Sequence, residues 1–307
     1  METKNSNVLL IVFLVVIVLA VVAVFGCLIY KAIGSIDTGE ANVAVIPIYG
    51  VIVSSSSGGL FDDSVVSSKI INKIEKAEED PTIDAILFEI NSPGGSAVAS
   101  DEIGQAIKKL NKANKTTVAW IREVGASGGY WIASNSDYII ANKMSFTGSI
   151  GVIASYLEIS GLLDKYNVNY ERMVAGEHKD MGSPFRELTN EEKNIFQEQL
   201  DQIHEYFIAE VANNRNLTEE QVKKFADGSA MLGVKAFELG LVDELGGKDE
   251  AETYLEQKLG KKIHFISYTD STSFFDIFSK VISEHGFNVG SGLGKALVKQ
   301  QDALIQT

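Results

Sequence analysis

The chain has 307 residues, of which 45% are hydrophobic and 22% are charged, so it can bury a sizeable core. Its formal net charge of −14 argues against a nucleic-acid-binding surface, which needs clustered Lys and Arg. The single cysteine, Cys27, lies in an apolar run, which excludes an intrachain disulfide or a cysteine-rich metal site in the remainder of the chain.

A long apolar run near the N-terminus indicates a membrane anchor. Residues 8–30 form a stretch of 23 residues without a charge or an amide side chain. As a helix at ~1.5 Å per residue this stretch would be about 34 Å long, enough to cross ~30 Å of hydrocarbon. The alternatives are a cleavable signal peptide and lipoprotein processing at Cys27. Lys4 and Lys31 nearly balance in the positive-inside count, and only the short N-terminal tail favours a domain outside the cytoplasm.

Strands and helices alternate in the segment that follows the anchor. A short flexible linker, residues 31–42, leads to an apolar strand at Val43–Tyr49. A loop rich in serine and glycine follows at 54–59, and a stripe of apolar residues then predicts a helix over 64–79. Further strands are predicted at 83–90, 116–121 and 137–141, a further helix at 97–113, and another that the glycine-rich turn at 125–129 opens and that runs through Ser134. This order and spacing predict a parallel sheet wrapped by helices.

One long amphipathic helix is predicted in the second half of the chain, over residues 189–214. Its start is marked by a capping box, with Thr189 as the cap and Glu192 three residues later. A strand-like stretch at 170–175 precedes it. Two shorter helices are predicted after it, at 218–226 and 233–240.

Ser127 lies in a glycine-rich turn at the point where a predicted strand leads into a helix. The turn reads Gly125-Ala126-Ser127-Gly128-Gly129. A serine nucleophile must expose its oxygen at the end of a strand and leave room for the substrate, which small neighbours allow. The backbone N–H of Gly128, at the start of the helix, could donate to the oxyanion of a tetrahedral intermediate. The alternative is that Ser127 only caps the helix.

A second glycine loop, residues 91–95, follows another buried strand. Pro93 restricts the chain, and Gly94 and Gly95 let a substrate carbonyl approach the main chain closely. Because parallel sheets bind ligands at the carboxyl ends of their strands, this loop and the Ser127 turn are expected at the same edge. The loop is therefore a candidate oxyanion donor, with a purely structural turn as the alternative.

Two kinds of base could take the proton of Ser127. The turn also matches the G-x-S-x-G elbow of α/β-hydrolases, which would use a later histidine, His264 or His285. His204 lies within the long predicted helix and is expected at the surface. Lys179, in the loop after 170–175, is the other candidate. A lysine acts as a base when its pKa falls from ~10.4 to near 7 or 8, and burial can supply the ~3–4 kcal/mol required. From local sequence alone, a solvated Lys179 is the simpler interpretation.

Four motifs in order resemble those of the signal peptide peptidase A family, in the short form with one catalytic half. They are Asn91-Ser92-Pro93-Gly94-Gly95, Ala126-Ser127-Gly128-Gly129-Tyr130, Thr147-Gly148-Ser149-Ile150-Gly151-Val152, and Gly176 to Pro184 with His178-Lys179-Asp180 inside it. The resemblance covers residues 43–250. It implies a Ser–Lys dyad of Ser127 as nucleophile and Lys179 as base. It also implies that Ser149 positions the lysine amine, and that Gly128 with the Gly94–Gly95 loop forms the oxyanion region.

The resemblance further implies the fold, the domains and the surroundings of the protein. The fold class is α/β, a Clp-protease/crotonase-like fold of repeated ββα units preceded by one N-terminal transmembrane helix. The expected domains are a tail (1–7), the anchor (8–30), the linker (31–42), the peptidase domain (43–250) and a C-terminal extension (251–307) that contacts neighbouring subunits. The family forms ring-like homo-oligomers, such as an octamer, anchored in the cell membrane with the catalytic domain outside the cytoplasm. It degrades remnant signal peptides.

The sequence thus predicts a membrane-anchored serine endopeptidase that cleaves signal peptides and other short apolar peptides. Three alternatives stay open: an α/β-hydrolase-type esterase using Ser127 with His264 or His285, a non-catalytic membrane scaffold, and acyl-CoA chemistry on a crotonase-like fold. No cofactor, metal or nucleotide is expected, because the histidines are scattered, there is one cysteine and no Walker-type G-x-x-x-x-G-K-[ST] occurs.

Overall fold

The computed structural model describes residues 41–55 and 64–268. The predicted anchor at 8–30, most of the linker, His285 and most of the C-terminal extension lie outside the described residues. Within the described part, no helix is long and apolar enough to cross a membrane. The chain divides into two units, Met1–Ile266 and Ser267–Thr307, and the described residues lie almost wholly in the first.

The described strands are short except for those at the centre of the main sheet. They are β1 (Val43–Tyr49), β2 (Ile52–Val53), β3 (Val65–Val66), β4 (Ala85–Ser92), β5 (Thr116–Ala126), β6 (Tyr138–Ala141), β7 (Phe146–Gly148), β8 (Ala230–Leu232), β9 (Glu244–Leu245) and β10 (Phe265–Ser267).

The described helices vary widely in length. They are α1 (Ser67–Glu79), α2 (Ala97–Lys112), α3 (Gly128–Ser134), α4 (Ser160–Lys165), α5 (Asn190–Arg215), α6 (Glu219–Lys223), α7 (Gly233–Glu238) and α8 (Lys248–Leu259).

The main sheet has the strand order β10-β1-β4-β5-β6-β9. The β1/β4, β4/β5, β5/β6 and β6/β9 pairs are parallel, with α2 crossing from β4 to β5 and α3 from β5 to β6. Strand β5 pairs first with β6 and then, at its carboxyl end, with β7, which also pairs antiparallel with β8. Because parallel strands end at one edge of a sheet, the loops after β4, β5 and β7 meet there.

Strands β1 and β4 are buried on both faces, which explains their nearly continuous apolar sequences, whereas β5 is buried mainly in its first half and at its carboxyl end. On one face, Ala251 and Leu255 of α8 join the cluster formed by the strands. Helices α2 and α3 contact each other and β5, and every residue of α3 is buried. The buried Ile103 and Ile107 of α2 each contribute about 1.5–3 kcal/mol through the apolar surface they remove from water.

The predicted elements from Val43 to Ala141 are largely confirmed, and the elements predicted within the described residues need two corrections. The helix predicted over 64–79 begins at Ser67, because Val65 and Val66 pair with β2 instead. The strand-like stretch at 170–175 is not a strand, and its apolar residues Met173 and Val174 are exposed. The capping box is confirmed, since Thr189 accepts from the N–H of Glu192 while the Glu192 carboxylate accepts from the N–H of Thr189.

Candidate active site

Ser127 occupies the sharp turn between β5 and α3. Its backbone has φ 52° and ψ −123°, a conformation that residues with a side chain rarely adopt. The turn is held from both sides: Ser127 N donates to Gly148 O at 2.8 Å, and Trp131 N donates to Ser127 O at 2.9 Å. The Ser127 side chain makes no capping hydrogen bond, so the interpretation of this residue as a helix cap alone is wrong. A strained turn that leaves the hydroxyl out of the capping role suits a nucleophile.

The glycine loop after β4 packs directly against the Ser127 turn. Gly94 has φ +102°, and a Cβ built on it would lie 2.8 Å from Ser127 Cβ and 2.7 Å from Gly128 N. A side chain at this position would therefore both strain the backbone and collide with the turn. The loop is anchored by Ser92, whose hydroxyl donates to Gly50 O at 2.6 Å and accepts from Gly94 N at 3.2 Å.

A cavity of about 880 Å³ opens at this edge of the sheet. One wall comes from the loops after the strands, and includes Gly95, Ser127, Gly128 and Ser149. The opposite wall comes from α5, and includes Gln197, Leu200, Asp201, Ile203, His204 and Phe207. Phe207 also contacts Trp131 of α3, with ring centroids 4.8 Å apart, which attaches α5 to the nucleophile turn. Four of the six predicted site residues thus line one cavity. Gly94, the fifth, packs against the Ser127 turn beside it.

Ser149 follows β7 and faces the same cavity. Its backbone has φ 51°, and its N–H donates to Ser229 O at 3.1 Å. Its hydroxyl donates to Gly228 O at 2.9 Å. Because a hydroxyl donates one hydrogen bond and accepts two, Ser149 Oγ can still accept from an amine.

His204 was expected at the surface, and the structure corrects this. It is half-buried and lines the cavity that contains Ser127, with Nε2 3.2 Å from Ile150 O. The sequence signal was present in the spacing: His204 lies three residues before Phe207 and four after Leu200, on one side of α5. By contrast, His264 is bound through its backbone to Asn42 and is not among the described residues that line the cavity.

Lys179 lies in a different environment from Ser127. It is exposed, on a turn at 176–183 in which every residue is exposed or half-buried. Of the described residues, those that line the cavity include no lysine. Within one chain, therefore, the structure does not bring Lys179 into the space around Ser127.

Charged side chains surround the turn that carries Lys179. The guanidinium groups of Arg186 and Arg172 hold the pKa of Asp180 far below its ordinary value by donating hydrogen bonds to its carboxylate. Hydrogen bonds from Arg186 and from the backbone N–H of Thr189 lower the pKa of Glu192 to about 2. Both carboxylates are consequently ionised throughout the neutral range.

Serine-type hydrolases present their nucleophile on a strained strand-to-helix turn of this kind, and the parallel sheet and cavity are consistent with that class. The model of peptidase family S49 matches residues 109–262 of the chain. With the relatives described next, this match shows that the chain belongs to peptidase family S49.

The relatives include short and long proteins. The chain is 41% identical over 213 residues to a Synechocystis protein provisionally named as a protease, covering 69% of this chain and 73% of that protein. It is 33% identical to an Enterococcus faecium protein provisionally named signal peptide peptidase SppA, covering 78% and 71%. It is also 33% identical to Protease 4 of Haemophilus influenzae, covering 72% of this chain but 35% of that longer protein.

The comparisons confirm the resemblance to the signal peptide peptidase A family and support a serine-type protease. The mixed α/β architecture with its parallel sheet fits a Clp-protease-like fold. The individual roles of Ser127, Lys179, Ser149, Gly94, Gly95 and Gly128 stay predictions.

Proposed function

We propose that the chain is a membrane-anchored endopeptidase with a Ser–Lys dyad, in which Ser127 attacks the peptide bond and Lys179 from a neighbouring copy of the chain takes its proton. One observation carries the proposal. The cavity around Ser127 is lined by no lysine of the described residues, whereas Lys179 is exposed on a segment that projects its side chains to solvent. Both observations are explained by a homo-oligomer in which Lys179 of one copy enters the cavity around Ser127 of the next.

The segment that carries Lys179 supports assembly with a second copy. Every residue from 151 to 189, which we call the arm, is exposed or half-buried. The first residues of the arm, 151–154, line the cavity around Ser127. Beyond them the arm carries large apolar side chains in the open, with Leu157 83% and Met173 92% exposed. Several large apolar side chains exposed on one segment are consistent with an interaction site. Its occupant in our proposal is another copy of the same chain, since that is what would deliver a lysine to the cavity.

In the proposed reaction, Ser127 Oγ adds to the substrate carbonyl carbon while the neutral amine of Lys179 accepts the hydroxyl proton. The C–N bond then breaks as the leaving amine takes that proton, and water hydrolyses the acyl-enzyme. The oxyanion is stabilised by the N–H of Gly128 and of Gly95. Gly95 is preferred to Gly94 because the Gly94 N–H already donates to Ser92 Oγ. Ser149 Oγ accepts from the lysine amine and orients it.

The substrates in this proposal are apolar peptides near a membrane, in particular remnant signal peptides. The cavity wall formed by Leu200, Ile203 and Phe207, with Trp131 beside them, suits apolar side chains. The apolar run at residues 8–30 would hold the catalytic domain at the membrane surface as a single-pass anchor, with the domain outside the cytoplasm.

A complementation experiment tests the dyad and its location together. Ser127→Ala and Lys179→Ala are each expected to abolish cleavage of a fluorogenic peptide. The two variants, coexpressed with different affinity tags and isolated as mixed assemblies, are expected to regain part of it, because some sites then contain one intact Ser127 and one intact Lys179. Full activity of Lys179→Ala alone would overturn the dyad. Two inactive variants whose mixed assemblies stay inactive would place both groups in one chain.

The position of His204 favours one second candidate, a serine protease with a histidine base. His204 shares the cavity with Ser127 in the same chain, which Lys179 does not. In that case His204→Gln would abolish activity while Lys179→Ala retained it. The Ser–Lys proposal instead expects Lys179→Ala to be inactive and His204→Gln to retain activity. His264→Gln is the control, because His264 does not line the cavity.

A further inference from the structure

The turn that carries Lys179 is joined to the start of α5 by a continuous chain of charge-assisted hydrogen bonds. At its centre, Asp180 accepts from two guanidinium groups. Arg186 donates Nε to Oδ2 at 2.9 Å and Nη2 to Oδ1 at 2.8 Å. Arg172 donates Nε to Oδ2 at 2.7 Å and Nη2 to Oδ1 at 2.8 Å. Asp180 immediately follows Lys179, so four directional bonds act one residue from the proposed base.

The same Arg186 continues the chain to α5. It donates Nη2 to Glu192 Oε1 at 2.6 Å and Nη1 to Glu192 Oε2 at 2.8 Å. Glu192 Oε2 in turn accepts from Thr189 N at 2.9 Å, which closes the capping box at the start of the helix. The Glu192 side chain is only 3% exposed, so its charge is held inside the protein and fully paired. Bidentate guanidinium–carboxylate pairs of this kind define orientation as well as attraction.

We propose that Arg172, Asp180, Arg186 and Glu192 form a positioning ladder that fixes the Lys179 turn on the N-terminus of α5. The inference rests on the proposed function, because it assigns the ladder to the base of the Ser–Lys dyad. These four are positioning residues, since none of them lines the cavity around Ser127.

Contacts other than the ladder hold the Lys179 turn only weakly against the rest of the fold. The residues of the turn bury no side chain, and its internal bonds are turn bonds such as Lys179 N to Gly176 O at 3.2 Å and Ser183 N to Asp180 O at 2.9 Å. His178 comes only to 3.9 Å from Glu191 and 4.0 Å from Glu192, beyond hydrogen-bond distance. Turn bonds set the local shape but do not place the turn relative to the rest of the fold. The ladder does so, from Arg172 before the turn and Arg186 after it.

The ladder also connects the wall of one active site with the base proposed for another. Helix α5 begins at the ladder and, about two turns further on, lines the cavity of its own Ser127 through Gln197, Leu200 and Asp201. In the proposed assembly the Lys179 turn reaches the cavity of a neighbouring copy. One rigid helix would therefore hold the wall of one site and the base of the next.

Charge and geometry can be separated by choosing the substitution. Arg186→Lys keeps the positive charge but loses the planar fork that spans Asp180 and Glu192. A misplacement of about 1 Å can cost about 10²-fold in rate, so kcat is expected to fall by about 10²-fold. KM for a fluorogenic peptide is expected to change by less than about a factor of two, because the substrate cavity is untouched.

The rate profile with pH gives a second readout that a merely structural role would not move. The charged or titratable groups around the turn are Glu177, His178 and Asp180 on it, Arg172 before it, Arg186 after it, and Glu191 and Glu192 of α5. Arg186→Lys leaves this set of charges unchanged. The rising limb of kcat is nevertheless expected to move to higher pH, because a lysine amine released into water keeps its proton until about pH 10.

The matched control lies at the other end of the same helix. Arg215 forms a bidentate pair with Asp243, at 3.0 Å and 2.6 Å, and its side chain is only 8% exposed. Arg215→Lys removes the same chemistry from α5 without touching the Lys179 turn. It is expected to lower the melting temperature while leaving kcat and the pH profile as in the wild type.

The experiment uses the full-length chain, with assembly size and melting temperature recorded for every variant. If Arg186→Lys does not fold, Asp180→Asn tests the fall in kcat with a side chain of equal size. Its pH profile is not compared, because it also removes a charge beside Lys179. Asp180→Glu keeps that charge and is expected to recover part of the lost kcat. Wild-type kcat and pH profile in folded Arg186→Lys, or wild-type kcat in folded Asp180→Asn, with Lys179→Ala inactive, would overturn the ladder and leave the dyad standing. Equal losses in Arg215→Lys would also overturn it. An active Lys179→Ala would instead remove the proposed function itself.

Discussion

Ser127 and Gly148 are joined by a backbone hydrogen bond of 2.8 Å, from the N–H of the serine to the carbonyl of the glycine. This bond ties the strained turn at the end of β5 to the end of β7. The next residue after Gly148 is Ser149, so one bond sets the spacing between the proposed nucleophile and the proposed acceptor for the lysine amine. The predictions below probe this edge of the sheet and the arm that would complete it.

Gly94→Ala is expected to remove activity and to destabilise the fold. The new Cβ would lie 2.7 Å from Gly128 N and 2.8 Å from Ser127 Cβ, at a backbone φ of +102°. Strain of this type costs about 1–3 kcal/mol, measurable by denaturant unfolding. Gly247→Ala, outside the arm, is the control, because a Cβ there would meet only Glu250 Oε2, at 3.8 Å. Wild-type activity in Gly94→Ala would argue against this loop as part of the oxyanion region.

Ser149→Ala is expected to lower kcat more than it raises KM. The change removes the hydroxyl that donates to Gly228 O at 2.9 Å and that would accept from the lysine amine. Loss of one hydrogen bond to a charged or reacting group corresponds to about 1.5–3 kcal/mol, or about 10–10²-fold in rate. Steady-state kinetics across pH measure the effect. An unchanged kcat in Ser149→Ala would remove this residue from the reaction.

Stability is expected to fall in acid partly through Glu192. Its pKa is lowered in the fold from 4.5 to about 2, mainly by Arg186 and by the N–H of Thr189. The carboxylate therefore stabilises the fold fully above about pH 4.5 and loses this contribution as the pH falls towards 2. This contribution is measured by thermal unfolding of wild type and Glu192→Gln from about pH 6 down to about pH 2, a range that covers both the ordinary and the lowered pKa. The variant should be less stable at pH 6 and show a smaller loss in acid. Parallel curves for the two proteins would contradict the assignment.

Charges introduced on the arm are expected to separate the copies. Leu157 and Met173 are 83% and 92% exposed, so replacing both by Lys should not disturb the fold of one chain. A lysine buried in an interface is costly, and the variant should dissociate into smaller species and lose activity. Light scattering coupled to size exclusion measures the mass. Val98→Lys on α2 is the matched control, at a side chain 65% exposed outside the arm. An unchanged mass in the double variant would exclude these residues from the interface.

Much of the fold was predictable because local patterns and burial agree. The apolar runs of β1 and β4 are buried on both faces, and the stripe Ile103, Ile107 and Leu110 faces the core from α2. The capping box at Thr189 and Glu192 likewise formed where the sequence placed it. The prediction failed at 170–175, where apolar residues have no strand beside them and remain exposed.

The sequence alone determined the parts of the site that depend on neighbours along the chain. Glycines around Ser127 and the residues 91–95 predict two tight turns at the ends of strands, since only small residues allow such close approach. The tertiary structure decided what lies across from those turns. It brought His204 into the cavity, left Lys179 exposed on the arm, and joined Arg172, Asp180, Arg186 and Glu192 into one chain of bonds. The physical reason is that distances between side chains on separate elements depend on how the elements pack, which no local pattern of residues encodes.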